Sequence, residues 1–459
     1  MTASPVPAPA SETLAEGIAR AGSAEQLLRH SPARPTVFPV TAEFSNWRSE
    51  QLSWRRSCAL LDQSHHMTDL FLTGPDALRL LADTGVNSFA RFAPGGAKQF
   101  VAVTEEGLLV GDAILFHLEQ DHLDLVGHPM VIDWVQFHAE TGGYRVQLQR
   151  DGNSIVRRGA PTLYRYELQG PTALAVVEQL IGGPVPEVRF FRTAEFEVAG
   201  HRVRALRHGM AGQPGFELFG PWAQGEAVHD AILRAGADHD LVEVGAKGYS
   251  TANLESGWVP APLPAVFTSA STAAYRDWLP AARAGSLGGS FASPDIEDYS
   301  LSPDDLGYGR SVAFDHDFLG RSALEAVAAA PPRRRKVTLV WDRRDVAAAQ
   351  ATLFDEELPA KFIELPKARY ALHHVDEVRH EGAHAGLSLD CGYVANERSF
   401  LSLATVAADL ADGSEVVVVW GEEPNSRKPQ VEPHRQVEVR AVVAPAPFPG
   451  YASSRYRTS

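Results

Sequence analysis

The chain has 459 residues, 44% hydrophobic and 22% charged, an ordinary globular composition long enough for two to four domains. Its 57 acidic and 42 basic residues leave a net charge of -15, which argues against a general nucleic-acid or membrane-surface binder. A small anionic ligand held by local basic groups stays open.

In chain order, residues 1–34 read as a flexible leader carrying one short helix, Ala24 to Arg29, capped by Ser23. Phe44 to Arg55 reads as a helix with Phe44, Trp47, Leu52 and Trp54 available to bury. Leu70 to Thr73 is a strand, and Pro75 to Asp83 a helix opened by Gly74-Pro75. Strands follow at Phe100–Thr104, Leu108–Leu118 and His122–Val126, then a helix, Val131–Glu140, that stops at Gly142-Gly143. The same grammar returns at 164–236: a strand, the helix Pro171–Leu180, a hairpin Ala194–Arg207 turning at Gly200, the strand Phe216–Phe219 and the helix Trp222–Ala235. Gly245 to Ser256 reads as one helix, with Tyr249 in its first turns, Gly257 as its stop and Trp258 just beyond. Residues 259–310, rich in Pro, Ala, Ser and Gly, read as an extended connection, and Pro331 to Lys336 as a solvated basic hinge. Lys336–Trp341, Val416–Trp420 and Gln436–Val443 read as strands of a smaller β-rich domain. Helices alternating with many hairpins predict an α+β fold, not a doubly wound parallel sheet.

Two cysteines, Cys58 and Cys391, lie far apart and supply neither a disulfide framework nor a cysteine zinc site, so a reducing, cytoplasmic setting is expected. The first residues lack the basic start and apolar core of a secretory signal, and no run approaches the roughly 20 apolar residues of a membrane helix.

Tyr249 and Trp258 could wall a flat aromatic ligand, or they could simply pack in a core. Glu217 follows the tight Pro214-Gly215 turn and is flanked by Phe216 and Leu218, so it is an inward acid. Such a carboxylate accepts paired N–H donors from a heterocycle, or forms a buried ion pair with an arginine such as Arg204 or Arg207. In Asp62-Gln-Ser-His-His-Met67 the adjacent imidazoles diverge; Gln63 shares a face with His65 if the segment is extended, and with His66 in a helical turn. His373 to His380 reads as an exposed polar hairpin, lacking the spacing of a zinc helix, and no metal is expected. Gly288-Gly-Ser and Gly307-Tyr-Gly-Arg-Ser lack the strand–turn–helix setting of a phosphate cradle.

Several segments together carry a family resemblance: Glu43-Phe-Ser-Asn-Trp-Arg48, Asp62 to Met67, Leu206 to Gly212, Leu254-Glu-Ser-Gly-Trp-Val-Pro260, Ile296-Glu-Asp-Tyr299, Phe314 to Arg321 and Val431-Glu-Pro-His434. Over residues 38–450 the sequence resembles the glycine-cleavage T-protein superfamily of tetrahydrofolate-dependent one-carbon transferases, most closely its vanillate and 3-O-methylgallate O-demethylase branch. The resemblance implies a three-domain cloverleaf around a folate channel. Its divisions are a leader at 1–34, a discontinuous folate-binding domain at 35–68 plus 160–265, a second α+β domain at 69–159, a connection at 266–335 and a C-terminal barrel-like domain at 336–459.

It also implies that Glu217 grips the pterin of tetrahydrofolate, with Trp258 and Val126 beside it, and that Met67 lines the substrate pocket. Aminomethyl-handling T-proteins have arginine where this chain has Tyr249, and two consecutive aspartates where it has Gly111-Asp112. The expected reaction moves a methyl from a methoxy-aromatic to N5 of tetrahydrofolate. Tyr249, with an ordinary pKa of about 10, suits donation to a departing phenol, with Gln63 and His66 orienting its oxygens. The chain departs from the vanillate pattern at three pocket positions. His128 stands for an arginine that meets the substrate carboxylate, and Thr36 and Phe38 stand for tyrosines. A fork of N–H donors with permanent charge is thereby lost, so a neutral, larger or differently substituted methoxy-aromatic is expected. The alternative is that His128 protonates or that another basic group takes the arginine's place. Rival functions are N- or S-demethylation, aminomethyl or methylene transfer, and folate binding without turnover. No obligatory protein partner is inferred.

Overall fold

The computed structural model describes residues 12–33, 38–422, 426–450 and 452; Thr36 lies outside them. Two sheets and a barrel organise the chain. The first sheet has six strands in the order Leu241–Val244, Cys58–Asp62, Leu163–Gln169, Gly215–Pro221, His201–Arg207, Thr193–Val198. All its pairings are antiparallel except that of Cys58–Asp62 with Leu241–Val244. The second has five, in the order Gly96–Val103, Leu109–Glu119, His122–Gly127, Thr68–Thr73, Gln147–Asp151. The C-terminal region closes a six-stranded barrel from Arg334–Trp341, Ser399–Ala407, Ala383–Val394, Asp376–His380, Glu415–Trp420 and Val437–Ala444. This is the α+β architecture expected from the hairpins, and closure leaves the barrel no open edge.

Register decides what meets between the sheets. Glu217 lies directly opposite Glu167 on the neighbouring strand, and Phe219 opposite Arg165. Side chains alternate along strands, so Arg165, Glu167, Glu217 and Phe219 share one face. On the second sheet Asp69 pairs with Val126 and Phe71 with Asp124, which puts Asp69, Asp124 and Val126 on one face as well. Phe116, Val126 and Phe219 pack together where these faces meet.

Several elements differ from the sequence reading. In the expected leader the helix Ala24–Arg29 forms behind its Ser23 cap as read, but a second, unforeseen helix, Leu14–Ala21, precedes it and begins at a Thr13–Glu16 capping box. Leu14 and Leu28 are fully buried in the main core, and the Leu14 amide donates to the Leu279 carbonyl at 2.7 Å. Burial of these leucines offsets the ordering cost that a free leader avoids.

The helix beginning near Phe44 starts at Trp47, behind an Asn46 cap, and Phe44 is exposed. The supposed helix Gly245–Ser256 is two short ones, Ala246–Tyr249 and Ala252–Ser256. The Thr251 hydroxyl there donates to the Gly248 carbonyl and accepts from Gln51, a side-chain competition that breaks the run. Gly257 does end it in the left-handed region, as expected. Arg334 to Lys336, expected in a solvated hinge, open a barrel strand. His373 and His374 are buried rather than exposed, because they pair beside Leu287-Gly288 under the barrel.

Candidate active site

The segment 58–67 runs from a buried strand into a turn at Ser64–His66. Gln63 precedes that turn and His66 closes it. The Tyr249 hydroxyl lies 2.8 Å from His66 Nε2, their rings 5.1 Å apart. The Phe38 ring meets His66 edge-on at 5.8 Å. Met67, Tyr249 and Trp258 pack on one apolar cluster with Trp54, Leu61 and Met210; Met67 also packs against the cluster containing Val126. The structure thus brings Phe38, His66, Met67, Tyr249, Trp258 and Val126 into one neighbourhood.

Burial sets the protonation here. It pushes His66 down to about 4, with the Arg369 charge adding to the effect. It raises Tyr249 far above the usual phenol range, helped by the charges of Glu167 and Glu217. The resting pair is therefore a neutral imidazole and a protonated phenol, an arrangement suited to hydrogen-bond donation and not to base chemistry. The Gln63 amide donates to Glu167, whose other oxygen accepts from the Met210 amide at 2.6 Å. Burial, opposed by that amide and reinforced by Glu217, lifts Glu167 to about 8.

Glu217 does sit in a buried ion pair, but with Arg165, not with Arg204 or Arg207. Arg165 donates to Glu217 at 2.9 Å, Asp69 at 2.5 Å and Asp124 at 2.8 Å. Its guanidinium lies over both the Phe116 and Phe219 rings, at 5.3 and 5.0 Å from their centres. Burial works against that charge, but Asp69, Asp124 and Glu217 outweigh it and raise Arg165 further. Burial raises Asp69, and raises Asp124 well above the ordinary carboxyl range. Arg204 instead reaches the exposed Glu119 at 3.3 Å.

Trp258 is fixed through its indole N–H, which donates to Asp112 at 2.9 Å beside a Gln99 donor at 2.8 Å. His128 caps the helix Pro129–Thr141, its Nδ1 accepting from Met130 at 3.4 Å. Its ring faces His373 at 6.4 Å, and among the described residues no hydrogen bond or ring contact joins it to His66 or Tyr249. Burial, then the neighbouring His373, lowers it to about 4, which weighs against a protonated His128 at neutral pH.

A reduced pterin presents N–H donors, and the donor set fits it. One Glu217 oxygen is held by Arg165, and the other has no hydrogen-bond partner among the described residues. Trp258 is half-buried and held edge-on by Asp112, leaving an indole wall.

Arg165, Glu167, Asp69 and Asp124 escaped the sequence reading. A signal was present: Tyr164-Arg-Tyr-Glu-Leu168 puts charges at alternate positions between apolar ones, the mark of a strand with an inward polar face.

Residues 21–261 match the family model of the GCVT N-terminal domain. The chain is 45% identical over 456 residues to syringate O-demethylase of Sphingobium sp. (strain NBRC 103272 / SYK-6), covering 98% of each. It is 28% identical over 400 residues to sesamin methylene transferase of Sinomonas sp. (strain No.22), covering 82% of each. In fold it resembles the glycine cleavage system aminomethyltransferase T from Bartonella henselae, with a TM-score of 0.60 at 19% identity and 91% of each chain covered. No helix among the described residues is long and apolar enough to cross a membrane. The match over more than half the chain, and the full-length relative, place this protein in the GCVT family, the glycine-cleavage T-protein family that its motifs resemble.

Proposed function

We propose that this protein is a tetrahydrofolate-dependent aryl O-demethylase acting on a methoxyphenol of the syringate class in the cytoplasm. The observation that carries the reading is the protonated Tyr249 hydroxyl held 2.8 Å from a neutral His66. In-line methyl transfer from an aryl ether leaves a phenoxide, a poor leaving group unless a donor meets it. Tyr249 supplies that donor. His66 holds the hydroxyl in place, and Gln63, itself anchored by Glu167, orients the phenol oxygens.

Glu217, Trp258 and Val126 are the residues that would hold tetrahydrofolate, whose N5 amine supplies the methyl acceptor when bound. In this reading 35–68 plus 160–265 form the folate-binding unit, 69–159 the second domain, 266–335 the connection and 336–459 the barrel domain. Phe38 and Met67 form an apolar wall, and a neutral His128 offers an N–H where the vanillate branch offers a guanidinium. That pocket suits a more substituted ring than vanillate. Likeness to a syringate O-demethylase supports the same choice.

The test is incubation with tetrahydrofolate and a panel of methoxyphenols, with methylfolate measured by mass. Syringate is expected to be turned over faster than vanillate. Methylene-tetrahydrofolate from a methylenedioxy-arene, without methylfolate from any ether, would shift the assignment to methylene transfer. Folate binding with no product would make the protein a carrier.

A further inference from the structure

Glu167 is fully buried and stands between the two halves of the site. It lies directly opposite Glu217 across the strands Leu163–Gln169 and Gly215–Pro221. Side chains paired this way stand about 4.5–5.5 Å apart at Cβ, and two negative charges there repel. Arg165 shares the same face two residues away, but its N–H groups go to Glu217, Asp69 and Asp124 and none to Glu167. Glu217 therefore keeps its charge, with one oxygen on Arg165 and the other left for a pterin. Glu167 is the acid of the pair that holds a proton at neutral pH, because burial and then Glu217 lift it to about 8.

The carboxyl of Glu167 also reaches the substrate end. The Gln63 side-chain amide donates to one of its oxygens, and the Met210 backbone amide to the other at 2.6 Å. Met210 in turn packs in one cluster with Met67, Tyr249 and Trp258. His208 Nδ1 stands 3.8 Å from Glu167, outside hydrogen-bond reach, and the charges of both acids act on Tyr249. Among the described residues the side-chain oxygen of Gln63 takes no hydrogen bond. A protonated carboxyl either accepts from an amide N–H or donates to an amide oxygen, so it tolerates Gln63 in both orientations. A carboxylate only accepts. It holds the Gln63 nitrogen against itself and leaves the amide oxygen to accept from a phenol O–H.

We propose that Glu167 is a positioning residue that couples the two sites through its proton: folate on Glu217 releases it, and the carboxylate then sets Gln63 for the phenol. This rests on the O-demethylase reading above. Pterin N–H donors draw the charge of Glu217 away from its neighbour. The O–H bond of Glu167 breaks, its electron pair stays on the carboxylate and the proton passes to solvent. Substrate then meets a Gln63 already in the accepting orientation. The coupling is reciprocal, so the phenol tightens folate by the same factor. Relief worth one pKa unit makes that factor about 10-fold. It is present below about pH 7 and lost above 8, where Glu167 is ionised before folate arrives.

The probes are syringate and 5-methyltetrahydrofolate, whose N5 is already methylated, so both bind without turnover. Calorimetric titration of wild type near pH 7 is expected to show syringate held about 10-fold tighter when 5-methyltetrahydrofolate is present, a gain that disappears by about pH 9. Near pH 7.5, in buffers of different ionisation enthalpy, binding of 5-methyltetrahydrofolate alone should release a fraction of a proton. Glu167→Gln, checked for an unchanged thermal transition, has no proton to lose. It should bind each ligand singly, with the proton release gone and the gain reduced to under about 2-fold. A gain that survives undiminished in this variant, or that is equal near pH 7 and pH 9, overturns the proposal. So does wild type that binds 5-methyltetrahydrofolate without proton release, a result that stands even if the variant fails to fold. Wild type that forms no methylfolate from tetrahydrofolate and any methoxyphenol sinks the O-demethylase reading itself. Methylfolate formation without coupling sinks only the role of Glu167.

Discussion

The pocket has two ends that answer burial in opposite ways. Around Arg165, four ionisable groups are buried together and the arginine keeps its charge, because Glu217, Asp69 and Asp124 lie within 2.9 Å of it. Away from it, His66 beside Tyr249 and the neighbouring His128 and His373 have no counter-ion of their own and are held down, each near 4, by burial. Burial disfavours charge in both places, and only the presence of a partner decides whether the group stays ionised. The charged end has the character of a ligand anchor. The neutral end has the character of a place where a proton is lent to a leaving oxygen.

The sharpest way to break this contrast is to remove the lent proton. Tyr249→Phe should lower kcat by about 10²–10⁴ while leaving folate affinity, followed by calorimetric titration, within a few-fold. Turnover near wild type would show that the hydroxyl is not the donor. At the charged end, Arg165→Met strands Asp69, Asp124 and Glu217 without their cation. A stability loss of about 3–5 kcal/mol is expected in urea unfolding, and a loss under 1 kcal/mol would mean the acids neutralise themselves at little cost.

Smaller still is the acid response of the neutral end. His128 titrates near 4 when folded and at about 6.5 when unfolded, so the unfolded chain binds the proton first. Its contribution is complete above pH 6.5 and is lost as pH falls towards 4. Between those limits the Tm of wild type should fall more steeply than that of His128→Asn, a variant that keeps a helix cap. Parallel curves would show that His128 is not neutral in the folded state.

Much of this was legible in the chain. The hairpins at 100–126 and 194–207, the Gly257 stop and the acid after Pro214-Gly215 follow from local turn chemistry and alternation, and the structure has all of them. The site itself was half legible. Tyr249, His66 and Trp258 stood out as residue types matched to a phenol and a flat ring. Arg165 and Asp124 did not, since they sit in strands of different sheets, 41 residues apart, and nothing local signals that two faces will meet. The partner of Glu217 was misread for the same reason: Arg204 and Arg207 are near in sequence, but Arg207 pairs beside Phe216 on the opposite face, and Arg204, beside Phe219 on the shared face, reaches Glu119 instead.

By itself the amino-acid order determined the α+β class, the family motifs and the chemical types gathered for methyl transfer, because turns, periodicity and side-chain acidity are local properties. Tertiary structure alone decided which acids meet Arg165, that burial lowers His128 and that the helices Leu14–Ala21 and Ala24–Arg29 pack on the main core. Those outcomes depend on desolvation and on charges brought together from distant segments, and both quantities exist only once the chain has closed on itself.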